Sequence, residues 1–290
     1  MRGRAFAPAH ITAFFEPCFA ESPERTGSRG AGVTLEAGVH TEAVAEAADS
    51  TSITVELNGR LCSCEVSTKV AEMLLEMKGE RYRVKLSHTC QVPVAQGLGA
   101  SGAGALSTAI ALSHALGLRL SATMLGRIAH VAEVECLTGL GDVAAQIHGG
   151  LVVRTSPGAP GVGSVERFYC REEVAVLVMG GEKPTGRCLR SLRAGSEMHR
   201  LTRSCLQRML EEPELSTLTR LSRKFALSTG LASEKLREAL LMLEAHGISA
   251  GVCMLGEALF VEAGDAEKAA ELLKLQPLLF RSDNCGARLI

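Results

Sequence analysis

The 290-residue chain contains no tryptophan and only two tyrosines, which removes the aromatic platforms on which proteins stack unpaired bases. It also lacks a charge surplus: 31 basic against 32 acidic side chains leave a formal charge of −1, whereas nucleic-acid-binding domains carry a basic excess. Its longest apolar runs, such as 174–179, fall far short of the ~20 residues a membrane-crossing helix needs. Near the N-terminus, MRGRAFAPAHITAFFEP sets two arginines before an apolar run that Pro8, His10 and Thr12 interrupt, so no secretory h-region fits there. These absences predict a soluble cytoplasmic protein with neither a nucleic-acid nor a membrane partner, and they leave room for a homodimer. The ten cysteines are scattered, with no CxxC spacing and only Cys62 and Cys64 close together. They read as reduced, small buried hydrophobes rather than as a metal site or disulfide framework.

What is present is apolar substance and glycine. A hydrophobic content of 46% over this length suffices for two domains, each with a core, and we divide the chain into 1–160 and 161–290. β-branched or alternating patterns predict strands over 2–7, 33–39, 52–57 and 81–88, with a helix at 67–78. Helices follow at 101–116 and, behind a Ser121 cap, at 122–137. Strands are expected at 150–154, 165–169 and 173–178, around the turn-rich SPGAPGVG. Helices at 185–193, 196–211, 215–228 and 233–245 come next, then strands 248–254 and 257–263, a helix at 266–274 and a last strand. The fold class is α+β.

Thirty glycines direct attention to places where backbone turns sharply or nears a ligand. In PVAQGLGASGAGALSTAIAL (93–112), Gly97, Gly99, Gly102 and Gly104 run straight into an apolar helix. Such a loop presents successive N–H groups at a helix N-terminus, where a polyphosphate is favoured. The same letters satisfy GxGxxG, but Pro93 and a loop precede them and no acidic residue stands ~20 positions on, as a dinucleotide site would require. The chain has no Gly-Lys dipeptide, which excludes Walker A. In a second cluster, AHVAEVECLTGLGDVAAQ, a helix bearing Glu133 and Glu135 runs into TGLG and Asp142. Asp142 there is either a carboxylate near a reacting hydroxyl or a helix cap. A third cluster, GISAGVCMLGEALFV, reads alone as a tight β-turn.

Taken in order, the three clusters resemble the GHMP kinase superfamily, and the resemblance spans the whole chain. PVAQGLGASGAG is similar to its PxxxGLxSSxA phosphate loop, TGLGD to the segment ending in its catalytic Asp, and GISAGVCMLGEALF to its C-terminal glycine loop. AFAPAHITAFFEP and TGSRGAGV look most like the superfamily's archaeal pantoate-phosphorylating branch. The resemblance implies a two-domain GHMP fold, with an N-terminal nucleotide-binding domain and a C-terminal α/β sandwich. It implies ATP-dependent phosphorylation of pantoate to 4-phosphopantoate, on the way to coenzyme A, with Mg²⁺ as cofactor. Another small hydroxy acid or a sugar is the alternative acceptor. From other classes, a nicotinamide dehydrogenase and a catalytically silent binding protein remain readings to separate by experiment.

Carried over position by position, Pro93, Gly97, Leu98, Gly99, Ala100, Ser101, Gly102, Ala103 and Gly104 form the nucleotide loop. Ser101 and Glu133 are the implied Mg²⁺ ligands, with Glu135 the alternative to Glu133, and Asp142 orients or deprotonates the acceptor hydroxyl. Arg29, Ser28 and His10 are expected at the substrate, Arg29 because its planar fork matches a carboxylate bidentately; Arg187 and Arg190 are the reserve cations. Two departures stand out: Ala100 replaces the loop's first serine, and the third motif has Ser249 and Ala250 where many members have a full glycine run. A larger gap is that the first motif has no lysine, which the mevalonate-kinase branch carries.

Overall fold

A computed structural model describes residues 1–181 and 195–290. The helix expected at 185–193, with Arg187, Arg190 and Cys188, lies outside the described residues. Among those described, the strands form two sheets. The first is built on a long hairpin of β1 (Arg2–Cys18) and β2 (Gly27–Ala47), far longer than the two short strands expected. β3 (Ser52–Leu57), β4 (Arg60–Leu61) and β5 (Tyr82–Cys90) extend one side. β5 runs antiparallel to β2 and parallel to β3, the crossover being made by α1 (Glu65–Lys78). β6 (Leu151–Ser156) pairs with β2 and with β7 (Ser164–Phe168), and β12 (Arg288–Leu289) pairs with β1. The second sheet has the order β11-β8-β10-β9, with β8 Glu173–Val178, β9 Ala250–Val252, β10 Ala258–Glu262 and β11 Leu278–Arg281. The 160/161 division thus falls in the turn between two paired strands of the first sheet, and the second sheet begins at Glu173.

The hairpin serves two cores because it is bulged. Register shifts at Pro8/Ala9 and Thr12/Phe14 twist the strands and re-aim their side chains. Before the first bulge, Ala5 and Ala7 pack with Val39 and Ala43 beneath α1, α2 (Ala100–Ala115) and α3 (Ala122–Glu135). Beyond it, Ile11, Phe14 and Phe15 join a core shared with the second sheet and its helices α5 (Ser196–Glu211), α6 (Leu215–Thr229) and α7 (Glu234–Ala245). α2 is apolar all round and buried along most of its length, as a helix enclosed on several sides must be. The Ser121 cap forms: its hydroxyl accepts from the Met124 N–H at 3.2 Å. A five-residue α4 (Asp142–Gln146) follows α3, and α8 (Ala266–Leu273) lies between β10 and β11.

One expectation is overturned: Cys62 and Cys64 are joined by a disulfide just before α1, with Cα atoms 5.5 Å apart. That separation lies in the range a bridge tolerates, and both cysteines lie in the three-residue link between β4 and α1. The other described cysteines are free thiols.

Candidate active site

The phosphate loop takes its shape from a backbone only glycine adopts easily. Gly99 stands at the N-cap of α2 with φ +61°, the left-handed region that strains residues bearing a Cβ. The first turn of α2 contains no acidic side chain of its own, so its first N–H groups and partial positive charge are not neutralised from within the helix. The loop is tied down on two sides. The His10 N–H donates to the Leu98 carbonyl at 3.0 Å, and Gln146 Nε2 donates to the Gly99 carbonyl at 2.8 Å.

Two cavities meet at this loop. The first, about 300 Å³, is walled by Gly97, Leu98, Gly99, Ala100 and Ser101, by 138–142, and by Thr12, Ser28 and Arg154. Met254 and Leu255, from the third glycine cluster, close its far side. The second, about 350 Å³, shares Val94, Ala100, Ser101 and Thr138 with the first and is otherwise lined largely by Val39, Leu57, Cys64, Val66, His88 and Gly104. Pro93 and Ala103 line neither; Ala103 is fully buried. Gly102 sits behind the loop, where a Cβ would come within 2.7 Å of Gln146 Oε1, 3.0 Å of Glu133 Oε2 and 3.2 Å of Asp142 Cβ. Its hydrogen lets three polar side chains crowd against the helix start.

Asp142 is the hub. Its Oδ1 accepts from His10 Nδ1 at 2.7 Å and from Thr12 Oγ1 at 3.3 Å, and no described group bonds its Oδ2, which is left to the cavity. Burial alone would push its carboxyl up, but the His10 hydrogen bond, Arg154 and Thr12 together hold it below the usual value, so it is ionised at neutral pH. Glu133 behaves oppositely. It is 2% exposed, and burial, with the negative charge of Asp142 nearby, raises it to about 7 against hydrogen bonds from Ser101 and Thr138. Thr138 Oγ1 donates to its Oε1 at 3.0 Å. Glu135 points away, paired with Lys69 at 2.9 Å on the surface. Of the two acidic candidates, only Glu133 is brought to the site.

The substrate residues divide. Ser28 is buried on the cavity wall, its hydroxyl donating to the Leu140 carbonyl at 3.4 Å. His10 is fully buried behind Asp142 and does not line the cavity. Arg29 is not brought there either: it stands opposite Glu16 in the β1/β2 register, bonds that carboxylate at 2.9 Å and reaches His199 of α5. The cation in the cavity wall is Arg154, absent from the sequence reading. It is 2% exposed, with Nε and Nη1 lacking any partner, and burial lowers it only to about 10 while Asp142 opposes the fall. It therefore stays charged. The available signal was an arginine directly after the apolar run Leu151–Val153 in a segment read as a strand, since an unpaired buried charge is costly and marks a site. Gln146 and Thr12 were also missed as site residues.

The GHMP kinase N-terminal domain model matches residues 65–150. The chain is 38% identical to a pantoate kinase from Thermococcus kodakarensis, covering 93% of this chain and 91% of that one. It belongs to the GHMP kinases, and the relatives that match it over most of its length are named pantoate kinases. A second, from Methanocaldococcus jannaschii, is 33% identical over 88% of this chain and 90% of its own. Among solved structures, one described as a phosphotransferase related to the CoA biosynthesis pathway superposes with TM-score 0.86 at 34% identity, covering 100% of this chain and 99% of that one.

Proposed function

We propose that the protein is an ATP-dependent pantoate kinase of coenzyme A biosynthesis, working in the cytoplasm. The observation that carries the choice of acceptor is Arg154: a buried, charged guanidinium with two unpartnered nitrogens in the wall of a cavity that also holds Asp142. Pantoate offers what that arrangement lacks, a carboxylate for the arginine fork and a primary hydroxyl for the aspartate. ATP would lay its phosphates on the N–H groups of Gly97 to Ser101 and its base in the second, more apolar cavity.

Phosphoryl transfer goes through a loose transition state in which positioning and charge neutralisation carry most of the catalysis. The loop N–H groups hold the phosphates. Arg154 and Ser28 anchor the acceptor so that its hydroxyl faces Asp142 Oδ2, which orients it and takes its proton as the new oxygen–phosphorus bond forms and the bond from the γ-phosphorus to the bridging oxygen breaks, leaving ADP. Ser101 and Glu133 suit Mg²⁺: one hydroxyl and one carboxylate match an ion that keeps waters and is bound partly through substrate phosphates. The buried Glu133, forced toward its neutral form beside Asp142, would gain a counter-charge from such an ion. When bound, Mg²⁺ would neutralise phosphate charge.

Pantoate and pantoyl alcohol, which lacks the carboxylate, measured on wild type and Arg154→Met, form a double cycle that tests the assignment. A lost buried charge pair costs about 2–5 kcal/mol, or roughly 30-fold to several thousandfold in kcat/KM. That loss should appear for pantoate, with ATP affinity nearly unchanged and the preference over pantoyl alcohol abolished. A preference that survives in the variant sinks the assignment.

A further inference from the structure

The geometry around Asp142 assigns a role to a residue that does not reach the cavity. His10 is 0% exposed, yet it touches both halves of the site: its backbone N–H donates to Leu98 in the phosphate loop at 3.0 Å, and its ring stands 2.7 Å from Asp142 Oδ1. The proton positions follow from the partners. An ionised carboxylate only accepts, so the short contact requires the hydrogen on Nδ1. Nε2 has no partner and is sealed against Gly32, where a Cβ would lie 2.3 Å from it. A proton there would have no acceptor, and burial lowers the ring's affinity for one. His10 is therefore a neutral donor, bonded through one nitrogen.

The surroundings of Asp142 show what that donor does. From β1 come His10 and Thr12, both on Oδ1; from β6 comes the Arg154 charge; from α3 comes Glu133, whose own burial favours its neutral form. Fixing Oδ1 on two neutral donors sets the carboxylate plane and leaves Oδ2 directed to the acceptor. We propose that His10 is the positioning residue of the reaction, holding the Asp142 carboxylate through Nδ1 while its backbone ties that carboxylate in register with the phosphate loop. This rests on Asp142 being the group that faces the acceptor hydroxyl. A carboxylate free to rotate spends part of its time misaligned, and outer-shell partners of this kind are typically worth ~10–100-fold.

The test compares His10→Asn, His10→Gln and His10→Leu, with Asp142→Asn as reference. The Asn amide can place an N–H near the Nδ1 position, Gln reaches instead toward the Nε2 position, and Leu fills space without a donor. We expect His10→Asn to keep kcat within about threefold of wild type, and Gln and Leu to lose roughly 10–100-fold in kcat. KM for ATP and pantoate should change little in all three. If Leu does not fold, the contrast between Asn and Gln decides alone. Equal losses in Asn and Gln, or losses in KM rather than kcat, would show a packing role and overturn the proposal. A normal kcat in Asp142→Asn would instead overturn the reading of Asp142 on which it rests.

Discussion

Asp142, on the cavity wall, and Glu133, buried behind it against Gly102, are neighbouring carboxylates with opposite charge preferences, and the difference is set by neighbours rather than residue type. Asp142 is held ionised by two donors and a cation; Glu133 is raised to about 7 by burial beside that anion. Gly141, not Asp142, is the N-cap of α4, and no side chain caps that helix. Asp142→Asn keeps the shape but loses basicity, so kcat should fall about 10²–10⁴-fold while ATP and pantoate still bind; a loss under tenfold would leave Asp142 as a partner of His10 and Thr12 only. For Glu133 the raised value is also a stability statement. The folded state holds a proton that the unfolded chain releases at its ordinary value of 4.5, so stability falls as pH rises from about 4.5 to about 7. A shift of that size corresponds to about 3 kcal/mol. Glu133→Gln should flatten this decline and raise the melting temperature of the nucleotide-free protein at pH 8, while increasing the Mg²⁺ needed for turnover. Thermal unfolding of both proteins at pH 5 and 8 checks the first part, and an unchanged pH slope would contradict it. These two acids were legible in the sequence because they stand in one short segment. Arg154 was not, because it meets Asp142 only through the pairing of β6 with β2.

Among elements, the hairpin and α2 do most to build the site. Gly102 lies on the α2 face against which Gln146, Glu133 and Asp142 crowd, so Gly102→Ala should cut kcat while the far-UV CD spectrum stays native; full activity would mean those side chains move aside freely. Gly99→Val is a less clean probe of nucleotide binding, since φ +61° makes a β-branched residue strain the backbone itself. Away from the site, Ser121→Ala should cost about 1 kcal/mol, the worth of an N-cap, without altering KM. Apart from the helix expected at 185–193, which lies outside the described residues, and the five-residue α4, which was not read, the helices lie within a few residues of their expected bounds, as at 196–211, because their apolar period and caps are local. The hairpin was read as two short strands because Pro8, Pro17 and its glycines look like interruptions; pairing across two bulges carries the strands through them. The same pairing sets Glu16 against Arg29 directly across the hairpin, a partnership visible only once the register is known.

At the scale of the whole molecule, the two sheets matter because the second supplies the far wall of the first cavity. Met254 and Leu255 follow β9, and the Met254 N–H donates to the Thr12 carbonyl at 3.0 Å, so the C-terminal glycine cluster is stitched to the strand carrying His10. Among the described residues, no helix is long and apolar enough to cross a membrane. Since ligand bound only by the folded state stabilises it, Mg·ATP at 100 times its Kd should add about 2.7 kcal/mol, seen as a raised melting temperature that NAD⁺ at the same concentration does not produce. The central claim is that the cavity between the phosphate loop and Arg154 passes a phosphoryl group from ATP to pantoate. Steady-state ADP release with Mg·ATP and a panel of small hydroxy acids and sugars is the decisive measurement: turnover should depend on pantoate and be absent with acceptors lacking a carboxylate, whereas ADP release that is indifferent to pantoate, or faster with a neutral sugar, would contradict it.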